Sequence, residues 1–461
     1  MTDIVHQVED WLAEAGEVLD RRVRLGVTGL SRAGKSVFIA ALVHHLLHPT
    51  RLGRLSVIAE DRFDTALLRP MPGGSVPRFG YEAAMQDLIG SVDRPPRWPD
   101  STRAVSELRL SIRFRSPLMF GFERDRTLHL DIVDYPGEWL LDLPLLGLDY
   151  AQWSRQAVAQ ARTGGRERLA GEWLELVGAL DPAGPVDETA VIRAAAAYHA
   201  YLQAARHAPE RYSVLQPGRF LLPGEMAGAP ALTFFPLPDL PARAERGSIA
   251  RLMADRFESY KREIARPFFE DHLQRIDRQV VLVDLLEHLA AGQESLADLK
   301  TAIEGTLGAF RHGEGSWLSL LFGRRISRVL FAATKADHLP AADHAQLAAL
   351  LEALVGETGR RLSFAGARIR TEALAALRVT QEIEVETPSG RWPGLAGLPL
   401  DSDRVEEVLP GSLPASLAEA GGDRLVPVAF RPMPGTVRPD RGPPSLRMDR
   451  AVEFLLGDML A

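Results

Sequence analysis

The stretch Gly29-Leu30-Ser31-Arg32-Ala33-Gly34-Lys35-Ser36 has the spacing G-x-x-x-x-G-K-S, in which every fixed residue type serves to hold phosphate. The glycines let the backbone turn tightly, so that successive N–H groups converge on phosphate oxygens. Lys35 then reaches the β and γ phosphates, and the Ser36 hydroxyl meets Mg²⁺ at the positive end of the following helix. Ser31, Arg32, Ala33, Gly34, Lys35, Ser36 and Val37 are therefore the candidate phosphate-binding residues, with Lys35 also a candidate catalytic group. Of the 54 lysines and arginines only four are lysine: Lys35, Lys261, Lys300 and Lys335. A chain that uses arginine elsewhere keeps lysine where a compact ammonium on a flexible stem is needed.

Two later tetrapeptides complete a chemical series. Asp134-Tyr135-Pro136-Gly137 ends the apolar run Leu130 to Val133, where a carboxylate can reach the magnesium ion and the Gly137 N–H can meet the γ phosphate. Thr334-Lys335-Ala336-Asp337 ends the apolar run Val329 to Ala333. Asp337 can accept from both N1–H and the 2-amino group of guanine, a donor pair that adenine lacks, while the stem of Lys335 covers the base plane. Alone, D-x-x-G and T-K-x-D are ordinary turns. Following a phosphate loop in this order, each at a strand end, they gain meaning.

The elements that must carry these residues can be read from periodicity. Val23, Leu25 and Val27 read as a strand into the phosphate loop, and Val37 to Leu47 as a helix that stops at His48-Pro49. His44 and His48, at i and i+4, read as cations near that helix's C-terminus rather than as metal ligands. Residues 50–100 are rich in Pro, Gly and Arg and predict an elaborated, mobile connection. Strands are expected at Glu107 to Phe114, Leu128 to Val133, Val280 to Leu286 and Val329 to Thr334, and further on near Ala367 to Ala373, Glu382 to Glu386 and Leu425 to Phe430. Helices are expected at Arg166 to Leu180, Glu188 to His207 and Ala242 to Ile276, then from Leu286 to about Phe310, at Ala341 to Leu354 and at Arg450 to Leu460. The fold class that follows is α/β, a P-loop NTPase with a three-layer sheet and a large helical insertion. Residues 1–145 form the first part of the nucleotide domain, 146–277 the insertion, and 278–461 the second part with C-terminal strands and a helix.

Composition sets bounds. With 461 residues, 46% of them hydrophobic, the chain can bury a large core, and a net charge of -7 argues against nucleic acid as a partner. No cysteine is present, which removes disulfides, thiolate catalysis and cysteine-ligated zinc. Neither a signal peptide nor a long apolar span is apparent, so a soluble, cytoplasmic protein is expected. Residues 3–22 place Ile4, Val8, Trp11, Leu12, Ala15, Val18 and Leu19 on one helical stripe opposite acidic residues, which favours core packing over a membrane surface. Trp317 to Arg325 joins an apolar stretch to basic residues. Weak peripheral membrane contact is one reading of it, and core packing the favoured one.

The ordered series resembles a GTPase of the P-loop class. More narrowly, the words GLSRAGKS, DIVDYPGEW, VVLVDLLEHLAAG and LFAATKADH resemble the YcjX-like family, bacterial GTPases associated with phage-shock stress responses. That resemblance implies GTP and GDP as ligands with Mg²⁺, and a GTPase-type fold with a helical insertion. It also implies a threonine on the metal from the loop before the second strand; Thr102 is the first candidate, with Ser101, Thr65 and Thr50 as rivals, so that Ser36, Asp134 and Thr102 form the candidate metal set. The final base contact falls to the loop Ala373 to Arg378, where Ala376 is the candidate. After Gly137, where a Ras-type enzyme carries a water-orienting glutamine, this chain has Glu138, whose charge opposes the γ phosphate. Slow hydrolysis is expected, with Gly137, Glu138 and Lys35 as catalytic candidates, and with a stress-related switch read by an unidentified protein partner as the role. An ATP-dependent phosphotransferase and a nucleotide-holding interaction module are the alternatives, and the oligomeric state is left open.

Overall fold

Strand alternation fixes the centre of the molecule. In β5 (Arg278–Val283), Val281 and Val283 enter one apolar cluster while Val280 and Leu282 enter another. In β6 (Arg328–Ala333), Val329, Phe331 and Ala333 alternate with Leu330 and Ala332 in the same way. Strands buried on both faces belong to a sheet covered by helices on both sides, the three-layer arrangement expected of this α/β class. The computed structural model describes residues 20–29, 33–72, 76–117, 123–308, 326–422 and 424–461.

The central sheet has seven strands in the order β2-β3-β4-β1-β5-β6-β7. They are β1 (Arg21–Gly29), β2 (Phe63–Arg69), β3 (Ser106–Pro117), β4 (Glu123–Asp134), β5, β6 and β7 (Arg368–Ala373). β4, β1, β5, β6 and β7 run parallel, while β3 is antiparallel to both β2 and β4. Chain order reverses at β1, which lies between β4 and β5, and a switch point of this kind leaves a crevice at the carboxyl edge.

One face is covered by α1 (Lys35–Leu47), α2 (Tyr81–Ile89) and a C-terminal helix, Met448–Leu456. The other carries α3 (Tyr150–Ala161), α4 (Arg166–Gly178), α5 (Glu188–His207), α6 (Ile249–Tyr260), α7 (Leu285–Ala291), α8 (Gln293–Gly308) and α9 (His344–Phe364). Trp153, Trp173, Tyr198 and Phe257 of this helical layer share one cluster with Val281 and Phe331 of the sheet. The helices of residues 146–277 are thus packed as a layer on the sheet through a common apolar core.

Several expectations are corrected. Residues 50–100 contain β2 and α2. β2 escapes a periodicity reading because only Ala66 of its seven residues is buried, so alternation is faint along FDTALLR. The strand expected to reach Leu286 ends at Val283, since Asp284 breaks the run and Leu285 starts α7. The expected strand Leu425 to Phe430 is reduced to β11 (Phe430–Arg431), an edge of a small antiparallel sheet with β8 (Thr380–Thr387), β9 (Gly390–Pro399) and β10 (Glu406–Val408). α3 was missed although Asp149 and Gln152 make a capping box at its start. His44 is buried, which lowers its pKa and disfavours the expected cation, and its ring nitrogens meet the Tyr81 hydroxyl and the Arg438 carbonyl. The N-terminal stripe from Ile4 to Leu19 and the Trp317 to Arg325 segment lie outside the described residues, as do Ser31 and Arg32.

Candidate nucleotide site

Motif residues follow the carboxyl ends of the parallel strands. β1 delivers Gly29, β4 delivers Asp134, β5 leads to Asp284, β6 to Thr334 and Lys335, and β7 to Leu374 and Ala376. Backbone bonds stitch neighbours together there: Thr334 donates to the Val283 carbonyl at 2.9 Å and Leu374 to the Ala333 carbonyl at 2.9 Å.

The candidate phosphate loop needs Gly29 and Gly34 for two different reasons. A Cβ on Gly29 would lie 2.9 Å from both the Ala33 side chain and the Leu282 carbonyl, so close approach of β5 excludes a side chain. Gly34 sits at φ 83°, ψ 27°, the left-handed region, immediately before α1. Lys35 and Ser36 open that helix, followed by Val37, and all three are partly exposed. Ala33 is buried.

Three oxygen-bearing side chains gather next to this turn. The Thr102 hydroxyl donates to Asp134 Oδ2 at 2.7 Å, and the Ser36 hydroxyl donates to the Asp100 carbonyl at 3.2 Å. The loop before β3 therefore spans from α1 to the end of β4, and Thr102, rather than Thr50 or Thr65, is the threonine it brings to Asp134. Asp134 Oδ1 is buried and has no hydrogen-bond partner among the described residues. Burial raises the Asp134 carboxyl above the ordinary range, opposed by the positive charge of Lys35 and the Thr102 hydrogen bond. An orphaned oxygen on a carboxylate that meets the Thr102 hydroxyl, with the Ser36 hydroxyl bonded to the same loop at Asp100, is a hard-oxygen donor set, which fits a magnesium ion that keeps several of its waters.

Beyond β6, Asp337 is 3% exposed and its Oδ2 accepts from the Val379 N–H at 2.8 Å, while the Thr380 hydroxyl donates to its carbonyl. A carboxylate offers about four lone-pair sites, so this anchor leaves capacity for a ligand. Lys335 has φ 57°, left-handed for a residue with a Cβ, and its ammonium is 2.5 Å from Asp284 Oδ2. The loop with Ala376 is fixed from both sides, since Ala336 donates to the Leu374 carbonyl and Ala375 exchanges bonds with Leu446.

Gly137 and Glu138 are placed differently. They begin a buried 3₁₀ turn, Gly137–Asp142, that enters the helical layer. Glu138, 5% exposed, accepts from Arg206 of α5 at 2.6 Å. The Trp139 ring lies under the Arg219 guanidinium, 3.2 Å from its carbon to the ring centroid. The Leu141 carbonyl accepts from Gln216, and Asp142 accepts from the Gly218 N–H at 2.7 Å and the Tyr260 hydroxyl at 2.6 Å. Burial pushes the Asp142 carboxyl up to about 6. Arg206 and Asp284 belong to none of the three motifs. Asp284 could have been found as the one charged residue interrupting the run from Val280 to Leu286.

A seven-stranded, mostly parallel sheet whose switch-point strand β1 leads into the G-x-x-x-x-G-K-S sequence defines an α/β protein of the P-loop GTPase-like class. The profile of the YcjX-like family (DUF463) matches residues 23–460, and the chain belongs to that family. It is 39% identical to the "Ras-like GTPase YcjX" of Escherichia coli (strain K12) over 458 residues, covering 96% of this chain and 97% of that one. It is 34% identical to the "Ras-like GTPase YcjX" of Shewanella oneidensis over 473 residues, covering 96% and 95% respectively.

Proposed function

We propose that this chain binds GTP and GDP with Mg²⁺, hydrolyses GTP slowly, and acts in the cytoplasm as a stress-related switch whose nucleotide state a protein partner reads. The observation that carries the reading is the convergence of Ser36, Thr102 and Asp134 at one end of the carboxyl edge, with Lys335 and Asp337 further along it. The names of the two relatives support the same reading for the nucleotide.

Ser36 and Thr102 hydroxyls and the Asp134 carboxylate would hold Mg²⁺, which supplies neutralisation of phosphate charge. Lys35 places its ammonium over the β and γ phosphates, and the backbone N–H groups of the loop and of Gly137 stabilise charge that grows on them. Water attacks the γ phosphorus, the bond to the bridging oxygen breaks, and the proton of the water passes to the released phosphate, leaving GDP. Glu138 follows Gly137 and accepts from Arg206, and a carboxylate at this position opposes the charge of the γ phosphate, which supports a slow rate.

The test is phosphate release from GTP followed over hours, with Lys35→Ala as the reference. Slow release by the wild type and none by the variant is expected. Equal release by both contradicts hydrolysis at this site. No helix among the described residues is long and apolar enough to cross a membrane.

A further inference from the structure

Asp284 is the first residue beyond β5 and is 7% exposed. Its Oδ2 holds the Lys335 ammonium at 2.5 Å, while its Oδ1 is buried with no hydrogen-bond partner among the described residues. It lines a cavity with Thr28, Gly29, Ala33 and Gly137, so it stands between the phosphate loop and the base-side lysine. A buried carboxylate with one orphaned oxygen is a poor choice for packing alone, because an apolar pair of similar volume serves stability equally well or better. Lys335 is also fixed at its other end, by a left-handed backbone that a Cβ-bearing residue adopts only under constraint. A lysine stem ordinarily samples many rotamers; anchored at both ends it becomes a fixed, half-exposed apolar rod, and the Lys335 side chain retains 30% exposure.

From this geometry we infer that Asp284 is a positioning residue for purine binding: it holds the Lys335 ammonium so that the methylene stem forms one wall of the base slot before nucleotide arrives. The inference rests on the guanine reading above and adds to it a residue outside the three motifs. A methylene wall reads the flat face of the ring and not its edge. Loss of Asp284 therefore weakens guanine, xanthine and adenine nucleotides by the same factor, unlike loss of Asp337, which changes base preference.

The experiment measures dissociation constants for GDP, XDP and ADP in wild type, Asp284→Asn, Asp284→Glu, Lys335→Met and the Asp284→Asn/Lys335→Met double variant. Asp284→Asn is expected to weaken GDP about tenfold with its preference over XDP and ADP unchanged, and the double variant to be no weaker than Lys335→Met alone. Partial recovery in Asp284→Glu is expected. Wild-type affinity in Asp284→Asn, multiplication of the two single effects, or a change in base preference overturns the inference. If Asp284→Asn does not fold, the ammonium signals of the lysine-poor wild type decide the point, with Lys335→Met assigning its peak. A slowly exchanging Lys335 ammonium, present without nucleotide and retained with GDP, supports the anchor; a signal like that of an exposed lysine overturns it. If the wild type binds no GDP, the guanine reading fails while the lysine signal still tests the anchor.

Discussion

Glu138, the residue after the D-x-x-G glycine, gives its carboxylate to Arg206, 68 positions further along the chain, in a 2.6 Å ion pair almost removed from solvent. The segment that would feel the γ phosphate is thereby tied to helix α5 rather than left as a free loop. Removing one partner of such a pair leaves an uncompensated charge, at a cost of about 3–5 kcal/mol. Arg206→Ala should lose stability on that scale in urea unfolding, and Arg206→Ala/Glu138→Gln should recover most of it. Full additivity of the two substitutions would show that the pair is not coupled.

The Thr102–Asp134 contact makes a prediction about metal. Thr102→Val keeps the shape and removes the hydroxyl, so Mg²⁺ should support GTP binding only at concentrations raised about tenfold or more. A magnesium titration of GTP affinity checks this, with Thr65→Val expected to be silent because β2 carries Thr65 on the edge of the sheet away from the phosphate loop. An unchanged magnesium midpoint in Thr102→Val would remove Thr102 from the donor set.

Asp142 predicts a pH dependence. Its carboxyl rises from 3.8 in the unfolded chain to about 6 in the fold, chiefly through burial. The folded state therefore holds the proton more tightly, so this group's stabilising contribution is complete below about pH 3.8 and is lost as pH rises through about 6. A rise of this size corresponds to about 3 kcal/mol. Asp142→Asn, which cannot ionise, should gain stability relative to wild type between pH 4 and pH 7, measured by urea unfolding at both. A constant difference across that range would contradict it.

What the sequence made legible was local. The G-x-x-x-x-G-K-S pattern is eight consecutive residues, and β5 and β6 announce themselves as short apolar runs. What stayed hidden depends on distant partners. Asp284 meets Lys335 across 51 positions, and nothing in either neighbourhood specifies the pairing. β9 is hard to see in the sequence because Gly390, Pro393, Gly394 and Gly397 are residue types common in turns, although Gly390 to Gly397 pair with β8. A Cβ at Gly397 would lie 2.6 Å from the Phe430 ring, so that glycine serves close packing rather than a turn. The anchoring of Gly137–Asp142 to the helical layer was likewise invisible, because Arg206, Gln216, Gly218 and Tyr260 converge only once α5 and α6 have docked.

Competition between GTP and ATP at equilibrium tests most directly whether the carboxyl edge holds guanine nucleotide. Because Asp337 can accept from both guanine donors while its Oδ2 stays anchored on Val379, GTP should bind at least a hundredfold more tightly than ATP. Asp337→Asn should shift the preference to xanthosine triphosphate, whose base edge complements a side-chain amide. ATP binding as tightly as GTP, in the wild type and in Asp337→Asn alike, would contradict the account.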